Sequence, residues 1–110
     1  MPAASGRISG HLDSLLLAIL EDVPLHGYAV IEELRRRSDG TLDLPEGTVY
    51  PALYRLERAR LLKSAWSSGS GRRRRVYSVT ESGRRALAAE RDDWQTFSAA
   101  VHSILGGAHA

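Results

Sequence analysis

Apolar residues fill almost the whole circumference of the first long helical segment in this sequence. A stripe at helical spacing is widened by neighbouring apolar positions, and together these are Leu12, Leu15, Leu16, Leu17, Ala18, Ile19 and Leu20. A helix this apolar needs other parts of the protein on more than one side. Because a chain of 110 residues has room for one such core, the sequence predicts a single domain around a helix that spans residues 11 to about 21.

Turn and capping residues divide the rest of the chain into three more helices. The second predicted helix opens at His26-Gly27 and ends near residue 38. The third starts just beyond Pro45, because proline disfavours helical geometry at the residue before it. Thr80-Glu81 supplies a capping oxygen and a negative charge for the last helix, which runs to about residue 105.

A β-hairpin is predicted between the third and fourth helices. Residues 61–66 and 76–79 have the composition of two strands, and a Ser/Gly-rich turn with four arginines separates them. A lone hairpin is only marginally stable in water, so this one must pack on the helices, and we assign Trp66 on its first strand to that packing. The order helix, helix, turn, helix, hairpin, helix is that of a winged helix-turn-helix. The expected fold class is mainly α with a small β-hairpin, with a C-terminal dimerisation helix.

The chain is expected to have four parts. Residues 1–10 form a flexible N-terminal segment, and residues 11–80 form the winged helix-turn-helix domain. Residues 81–105 form the C-terminal dimerisation helix, and residues 106–110 form a flexible tail.

Positive charge is concentrated on the third helix and the hairpin. Glu57 is the one acidic residue between residues 55 and 75, a segment that contains Arg55, Arg58, Arg60, Lys63, Arg72, Arg73, Arg74 and Arg75. An isolated run of arginines is usually a solvated surface, and charge alone does not separate DNA from RNA or anionic lipid. Here the charges fall on the two elements that a winged helix presents to DNA, with the third helix in the major groove. Their position therefore favours double-stranded DNA as the partner.

Three blocks of the sequence resemble the PadR family of transcriptional regulators. They are His26-Gly27-Tyr28, residues 47–57 (GTVYPALYRLE) and residues 75–83 (RVYSVTESG). The resemblance spans roughly residues 15–105, and the short single C-terminal helix is similar to the compact subgroup of the family. It implies a repressor that binds a pseudo-palindromic operator as a homodimer. Most members have a glycine after the third helix where this chain has Arg60, so we expect the helix exit to differ here.

The candidate DNA-binding residues lie mainly on the third helix and the hairpin. Gly47 lets the backbone approach a phosphate closely, and Thr48 and Tyr50 offer hydroxyls, although the same residues also suit a capping turn without a partner. The Tyr50-Pro51 step is expected only near a first helical turn. The full set of candidates is Tyr28, Gly47, Thr48, Tyr50, Pro51, Tyr54, Arg55, Lys63, Arg72, Arg73, Arg74 and Arg75.

These candidates have different expected roles. Tyr54 and Arg55 are the candidates for reading base edges, because an arginine fork matches guanine. The four arginines of the hairpin supply attraction to phosphates, and one of them is a candidate for the minor groove. The resemblance implies that Tyr28 reaches a backbone phosphate, and its alternative role is packing between helices.

The last helix contains an apolar seam that suits pairing with another helix. Because so small a chain has little mass to cover both this seam and the first helix, we expect a homodimer whose interface contains Leu15, Leu16, Ile19, Leu87, Trp94, Phe97, Val101 and Ile104. The resemblance implies that Trp94 and Phe97 line a pocket for a small planar apolar effector at that interface. The alternative is that both rings only fill the dimer core.

The sequence argues against catalysis and cofactor chemistry. His11, His26, His102 and His109 are scattered, and the chain has no phosphate-cradling Gly-Lys loop, no serine elbow and no cysteine. We therefore expect no enzyme, no cofactor and no metal site. No apolar run is long enough for a signal peptide or membrane span, so we expect a cytoplasmic protein. The alternative function is a winged-helix protein-interaction module without sequence-specific DNA binding.

Overall fold

A computed structural model describes the backbone of residues 3–106, and the side chains from residue 11 onward with the exception of residue 70. Within this range the helices and strands follow the predicted order. They are α1 (Ala3–Leu20), β1 (Leu25–His26), α2 (Gly27–Arg37), α3 (Glu46–Arg58), β2 (Leu62–Ser67), β3 (Arg74–Val79) and α4 (Glu81–Leu105), with a short 3-10 helix at Gly69–Gly71. The predicted fold class, mainly α with a small hairpin, is confirmed.

The hairpin belongs to a three-stranded antiparallel sheet with the order β1-β3-β2. In this sheet Trp66 of β2 lies opposite Arg75 of β3, and His26 of β1 lies opposite Val76. The sequence did not predict β1, because two residues are too short to show an alternating pattern. We call residues 62–79 the wing. Because β1 pairs with β3 of the wing and is followed directly by α2, it connects the wing to the start of α2.

Helix α1 lies at the centre of the hydrophobic core. Leu16, Leu17 and Leu20 are almost completely buried, since every other helix and the sheet pack around this helix. The other buried residues of the core come from α2, α3, β2, β3 and α4 and include Val30, Leu34, Val49, Leu53, Leu56, Leu62, Tyr77, Val79 and Leu87. A single chain thus provides the cover that the apolar helix requires.

This burial corrects part of the predicted dimer interface. Leu16, Ile19 and Leu87 have no more than 4% of their surface exposed in a single chain, so they pack in the core rather than against a second copy. The prediction failed because the wing and α3 cover α1 from sides that the sequence pattern did not reveal. Leu15 is half-buried and lies at the edge of a surface groove.

The first helix begins earlier than predicted. Residues 3–10, predicted to be flexible, continue α1 upstream of His11. No proline interrupts this segment, and its alanine, arginine and isoleucine residues are compatible with helix, which outweighs two glycines. Residues 1–2 of the predicted flexible segment and 107–110 of the predicted tail lie outside the described residues.

Pro51 lies inside α3 rather than in its first turn. The helix starts at Glu46, so Pro51 belongs to the second turn, and the expectation of a first-turn position was wrong. Because proline has no N–H, the carbonyl of Gly47 receives no helical hydrogen bond from this position. The exposed Gly47 leaves that carbonyl open to solvent or to a ligand's donor.

Helix α3 ends in a left-handed turn that an arginine adopts. Arg60 has a φ of 65°, and the amides of Arg60 and Leu61 donate to the carbonyls of Glu57 and Leu56 at 2.9 and 3.0 Å. These two bonds are the Schellman arrangement in which glycine is usual. The helix exit therefore keeps the common geometry, and the expectation that Arg60 changes it was wrong.

The left-handed turn also fixes the start of α4. The Thr80 hydroxyl, which caps α4, donates to the carbonyl of Arg60 at 2.7 Å, and the Thr80 amide donates to the carbonyl of Leu61 at 3.1 Å. Gly83 packs on the same turn so closely that a Cβ there would lie 2.1 Å from the Leu61 carbonyl oxygen. These contacts hold Arg60 in the left-handed conformation despite its side chain.

Replacing Arg60 with glycine should stabilise the protein. An L-residue in this conformation is strained by about 1–2 kcal/mol, and the greater freedom of glycine in the unfolded chain offsets about 0.5–1 kcal/mol of the relief. We expect Arg60→Gly to raise the free energy of unfolding in urea by about 0.5–1 kcal/mol. Arg58→Gly, two residues earlier in the helix, should lower it by about 1 kcal/mol. A loss of stability in Arg60→Gly would contradict the strain at this position.

Candidate nucleic-acid interface

Helix α3 presents a distinct outward face. Its core side is formed by Val49, Ala52, Leu53 and Leu56, all buried. At 100° per residue, the opposite side carries Gly47, Pro51, Tyr54 and Arg58, and all four are exposed. We call these four residues the outward face of α3. Arg58 was not among the predicted DNA-binding residues, although its spacing of four from Tyr54 is the signal that would have found it.

Tyr50 lies on the flank of α3 that faces α2 and the wing. Its ring is half-buried, and its centroid is 6.2 Å from that of Tyr54. A Cβ at Gly27 would lie 2.5 Å from the Tyr50 ring, so the glycine at the start of α2 is required for this packing. Burial raises the pKa of Tyr50 above its ordinary value. The hydroxyl therefore stays protonated and able to donate a hydrogen bond.

The opposite flank of α3 faces α1. There the guanidinium of Arg55 pairs with the carboxylate of Asp13 of α1. The predicted base-reading group is thus held at the side of the helix by an acidic residue that lies 42 positions away in sequence. Thr48 is exposed close to the start of the helix. Among the aromatic and cationic residues of α3, Tyr54 and Arg58 belong to the outward face.

The arginines of the wing project to two sides. Arg75 pairs with Glu57 of α3 at 3.6 Å, and Glu57 also accepts a hydrogen bond of 2.6 Å from the Ser64 hydroxyl of β2. Arg74, next along the strand, points to the other face and contacts the His26 ring at 2.9 Å. The wing is therefore anchored to both α3 and the start of α2.

Trp66 does not pack in the core as the sequence led us to expect. It is 56% exposed, and the guanidinium carbons of Arg73 and Arg75 lie 4.6 and 5.3 Å from its ring centroid. The strand pairing explains this arrangement, because Arg75 lies directly opposite Trp66 on the same face of the hairpin. Trp66 lies beyond the part of the sheet that the helices cover.

A basic cleft of about 540 Å³ separates the start of α2 from the wing. It brings together most of the predicted phosphate contacts, because its lining consists of His26, Gly27, Tyr28, Tyr50, Arg72, Arg73, Arg74 and Arg75. Tyr28 is 57% exposed, which is more than packing between helices would leave. Lys63 does not line this cleft. It pairs with Ser78 in the sheet and lines a separate surface hollow with Pro24 and Val76.

His26 links the start of α2 to the wing. Its Nδ1 accepts a hydrogen bond of 3.3 Å from the Ala29 amide and so caps α2, while its Nε2 lies 2.9 Å from Arg74. A neutral imidazole has one nitrogen that accepts, whereas a guanidinium only donates, so these two contacts compete for one lone pair. Burial, and then the positive charge of Arg74, lowers the pKa of His26 below its ordinary value.

The outer half of α4 carries exposed apolar side chains. Trp94 and Phe97 are each 46% exposed, Ile104 is 83% exposed, and Val101 is half-buried. Trp94 packs edge-on against the His11 ring at 5.2 Å and against Phe97 at 5.9 Å. It also borders a groove of about 370 Å³ between α1 and α4, lined by His11, Ser14, Leu15, Ala18, Leu42, Leu87, Glu90, Arg91 and Trp94. Phe97 is not part of that lining.

Metal-ligating side chains do not converge within residues 3–106, where no three of His, Asp and Glu come close enough to hold an ion. His109 lies outside that range. None of the described helices combines the length and apolar character that a membrane crossing requires.

The helix order, the wing and the cationic surface beside α3 define a winged helix-turn-helix protein of the DNA-binding class. Residues 16–89 match the model of the transcriptional regulator PadR-like family. The chain is 37% identical to transcriptional regulator Rv3488 of Mycobacterium tuberculosis over 86 residues, which cover 78% of this chain and 75% of the relative.

Solved structures agree with this match. A PadR family transcription regulator from Clostridium difficile is 35% identical with a TM-score of 0.76, and the alignment covers 88% of this chain and 99% of that one. A PadR family transcriptional regulator from Eggerthella lenta is 30% identical with a TM-score of 0.77, covering 94% and 89%. The chain belongs to the PadR-like family of transcriptional regulators, and the family resemblance predicted from the sequence is confirmed.

The neutral form of His26 should make stability depend on pH. A folded-state pKa below the unfolded value of about 6.5 means that the unfolded chain binds the proton first. The contribution of His26 is therefore fully present above about pH 6.5 and is lost as the pH falls through that value towards the lower folded pKa. We expect the free energy of unfolding to fall more between pH 7.5 and 5.5 in the wild type than in His26→Asn, whose amide oxygen caps without titrating in this range. Equal pH dependence in both proteins would contradict this role.

Proposed function

We propose that this regulator binds a pseudo-palindromic operator as a homodimer and represses transcription by occupying it. The observation that carries the proposal is the continuity of one exposed surface from the outward face of α3, across Tyr50, to the basic cleft of the wing. In the winged-helix docking mode, α3 enters the major groove and the wing contacts a neighbouring groove or the phosphates. Repression itself is proposed on the family resemblance.

Tyr54 and Arg58 are our candidates for contacts with base edges. Both lie on the outward face, whereas Arg55 lies on the flank of α3 that faces α1, where it pairs with Asp13. We therefore assign Arg55 to a phosphate beside the major groove. Phosphate contacts are also proposed for Tyr28, Thr48, Tyr50, Arg72, Arg73, Arg74 and Arg75, while Gly47 and Pro51 allow a close backbone approach. Lys63 is proposed only as part of the general positive field.

The dimer is proposed to form through the outer half of α4. Trp94, Phe97, Val101 and Ile104 recur at intervals of three and four residues and make one stripe. Only Gly83 and Leu87 are buried among the residues of this 25-residue helix, and the partly exposed stripe of its outer half offers an apolar surface to a second copy. A second copy of α4 supplies the same stripe, and two-fold symmetry then places two recognition helices about 34 Å apart on the DNA.

The groove beside Trp94 is proposed as the site of a small planar apolar effector. Its walls are mainly apolar, and the indole of Trp94 offers a flat surface for stacking. Its position between α1 and α4 connects it to the proposed dimer interface. The alternative is that Trp94 and Phe97 only fill the dimer core.

DNA binding should separate the operator hypothesis from a protein-interaction module. We expect tighter binding to a duplex from around the regulator's own gene than to random DNA, measured by fluorescence anisotropy over a salt series. Replacing Arg72, Arg73, Arg74 and Arg75 with alanine should weaken binding to every sequence. It should also reduce the slope of log affinity against log salt concentration by about 0.9 for each lost phosphate contact. Arg58→Ala should instead change the preference among sequences, by about 1–3 kcal/mol at one base pair.

Arg85→Ala is the matched control, since it removes one exposed arginine on the side of α4 opposite the buried Gly83 and Leu87. Its effect on both DNAs should be small. Equal affinity of the wild type for both duplexes would reject the operator hypothesis, and a uniform loss in Arg58→Ala would reject base reading by Arg58.

Charges in the α4 stripe should prevent dimerisation. We expect Phe97→Asp combined with Ile104→Asp to give a monomer in sedimentation equilibrium at concentrations where the wild type is a dimer, because a carboxylate buried without a partner is strongly unfavourable. Gln95→Asp, on the other side of the helix, should remain a dimer. An unchanged mass of the double variant, or a monomeric wild type, would contradict the α4 interface.

Planar aromatic cations should quench the fluorescence of the wild-type protein if the groove binds such effectors. Stacking on Trp94 is the proposed cause, so the quenching should disappear in Trp94→Phe and persist in Trp66→Phe. Quenching that survives in Trp94→Phe would place the ligand elsewhere.

A further inference from the structure

Trp66 lies at the outer end of β2 with more than half of its surface in water. Its strand face continues the face that carries the buried residues Leu62, Tyr77 and Val79. The indole therefore lies on the same face of the sheet as these buried residues but beyond the core. This is also the face on which Glu57 of α3 contacts the wing. An exposed tryptophan at this place contributes little to the packing of the helices.

Two guanidinium groups lie next to the Trp66 ring. Arg75 lies directly across the hairpin from Trp66, so both side chains emerge on the same face. Arg73 comes just before β3 and reaches the same ring from there. Their guanidinium carbons are 5.3 and 4.6 Å from the ring centroid, within the range of cation–π attraction. Two like charges around one ring repel each other, and the negative faces of the indole offset that repulsion.

Stacking on a ring leaves an arginine able to bind an anion. The ring attracts the flat face of the guanidinium, while the N–H donors lie in its plane and point outward. Holding the long side chain against the ring also removes part of its freedom before the partner arrives, which favours binding. Arg74 differs, since it projects to the other face and contacts His26.

We infer that Trp66 is a positioning residue of the DNA interface, which holds Arg73 and Arg75 as a fixed pair of cations for the phosphates of bound duplex DNA. This inference rests on the proposed DNA-binding function. The sequence alone suggested a packing role for Trp66. The strand register and the two cation–π contacts instead indicate that it acts on the arginines of the wing. Glu57 completes the arrangement by holding Arg75 from the side of α3.

The test compares wild type, Trp66→Phe and Trp66→Leu for binding to the two duplexes over a salt series. Loss of the ring removes a contact that positions each of the two arginines. Trp66→Leu should therefore weaken binding to both DNAs about tenfold and reduce the slope of log affinity against log salt concentration by up to about 1.8, the value for two phosphates. Trp66→Phe keeps an aromatic face and should restore most of the affinity and salt dependence. Thermal unfolding of the three proteins should agree closely, because the side chain is exposed.

A second comparison separates positioning from direct contact of the indole with DNA. Alanine at Arg73 and Arg75 together should weaken binding much less in the Trp66→Leu background than in the wild type, because those arginines are already displaced there. An equal effect of the alanine pair in both backgrounds would overturn the inference, as would an unchanged salt dependence in Trp66→Leu. A wild type that binds neither duplex would instead reject the proposed function.

Fluorescence gives an independent readout. In Trp94→Phe, Trp66 is the one remaining tryptophan of the chain, so its emission reports on the wing directly. Phosphates bound to the two stacked guanidiniums change the charge beside the indole, so this emission should change in a saturable way, with the same midpoint as the anisotropy. An emission that stays constant while the duplex binds would overturn the inference.

Discussion

The burial of α1 is the constraint on which the rest of this structure depends. Leu16, Leu17 and Leu20 are enclosed from all sides, and each fully buried leucine stabilises the fold by about 1.5–3 kcal/mol. Every other helix and the sheet contribute a face to this enclosure. The buried side of α3 is thereby fixed, and because a helix has only one opposite side, Tyr54 and Arg58 must face outward. The surface proposed to bind DNA is thus determined by how the core is filled.

A few local contacts connect the packed core to the elements of the candidate interface. The left-handed turn at Arg60 ends α3, and the same turn receives the cap of α4 through Thr80. On the other side of the core, Gly27 allows Tyr50 to pack on the start of α2, and His26 connects that start to the wing. The elements that flank the basic cleft are therefore attached to α2 and α3 rather than free to move independently.

Local patterns in the sequence were sufficient to predict the helices, the hairpin and the family. The core positions Val49, Leu53 and Leu56 follow from helical spacing alone. What the sequence did not predict are contacts between distant residues, such as the pairing of Arg55 with Asp13 and the placement of Trp66 beside Arg73 and Arg75. The left-handed Arg60 was missed for a related reason, because tertiary contacts with the start of α4 outweigh the preference of that turn for glycine.

The position of Arg55 bears on how ligand binding and DNA binding influence each other. Asp13, its partner, lies on α1 between His11 and Ser14, and both of these neighbours line the groove beside Trp94. A ligand at this proposed site would contact the same turn of α1 that holds Arg55. Two sites are coupled only if a ligand at one has different affinity for two arrangements of a shared element. The shared element here is the Asp13–Arg55 pair. In the proposed complex a DNA phosphate would compete with the Asp13 carboxylate for Arg55, so a shift of α1 by an effector would change the outcome of that competition.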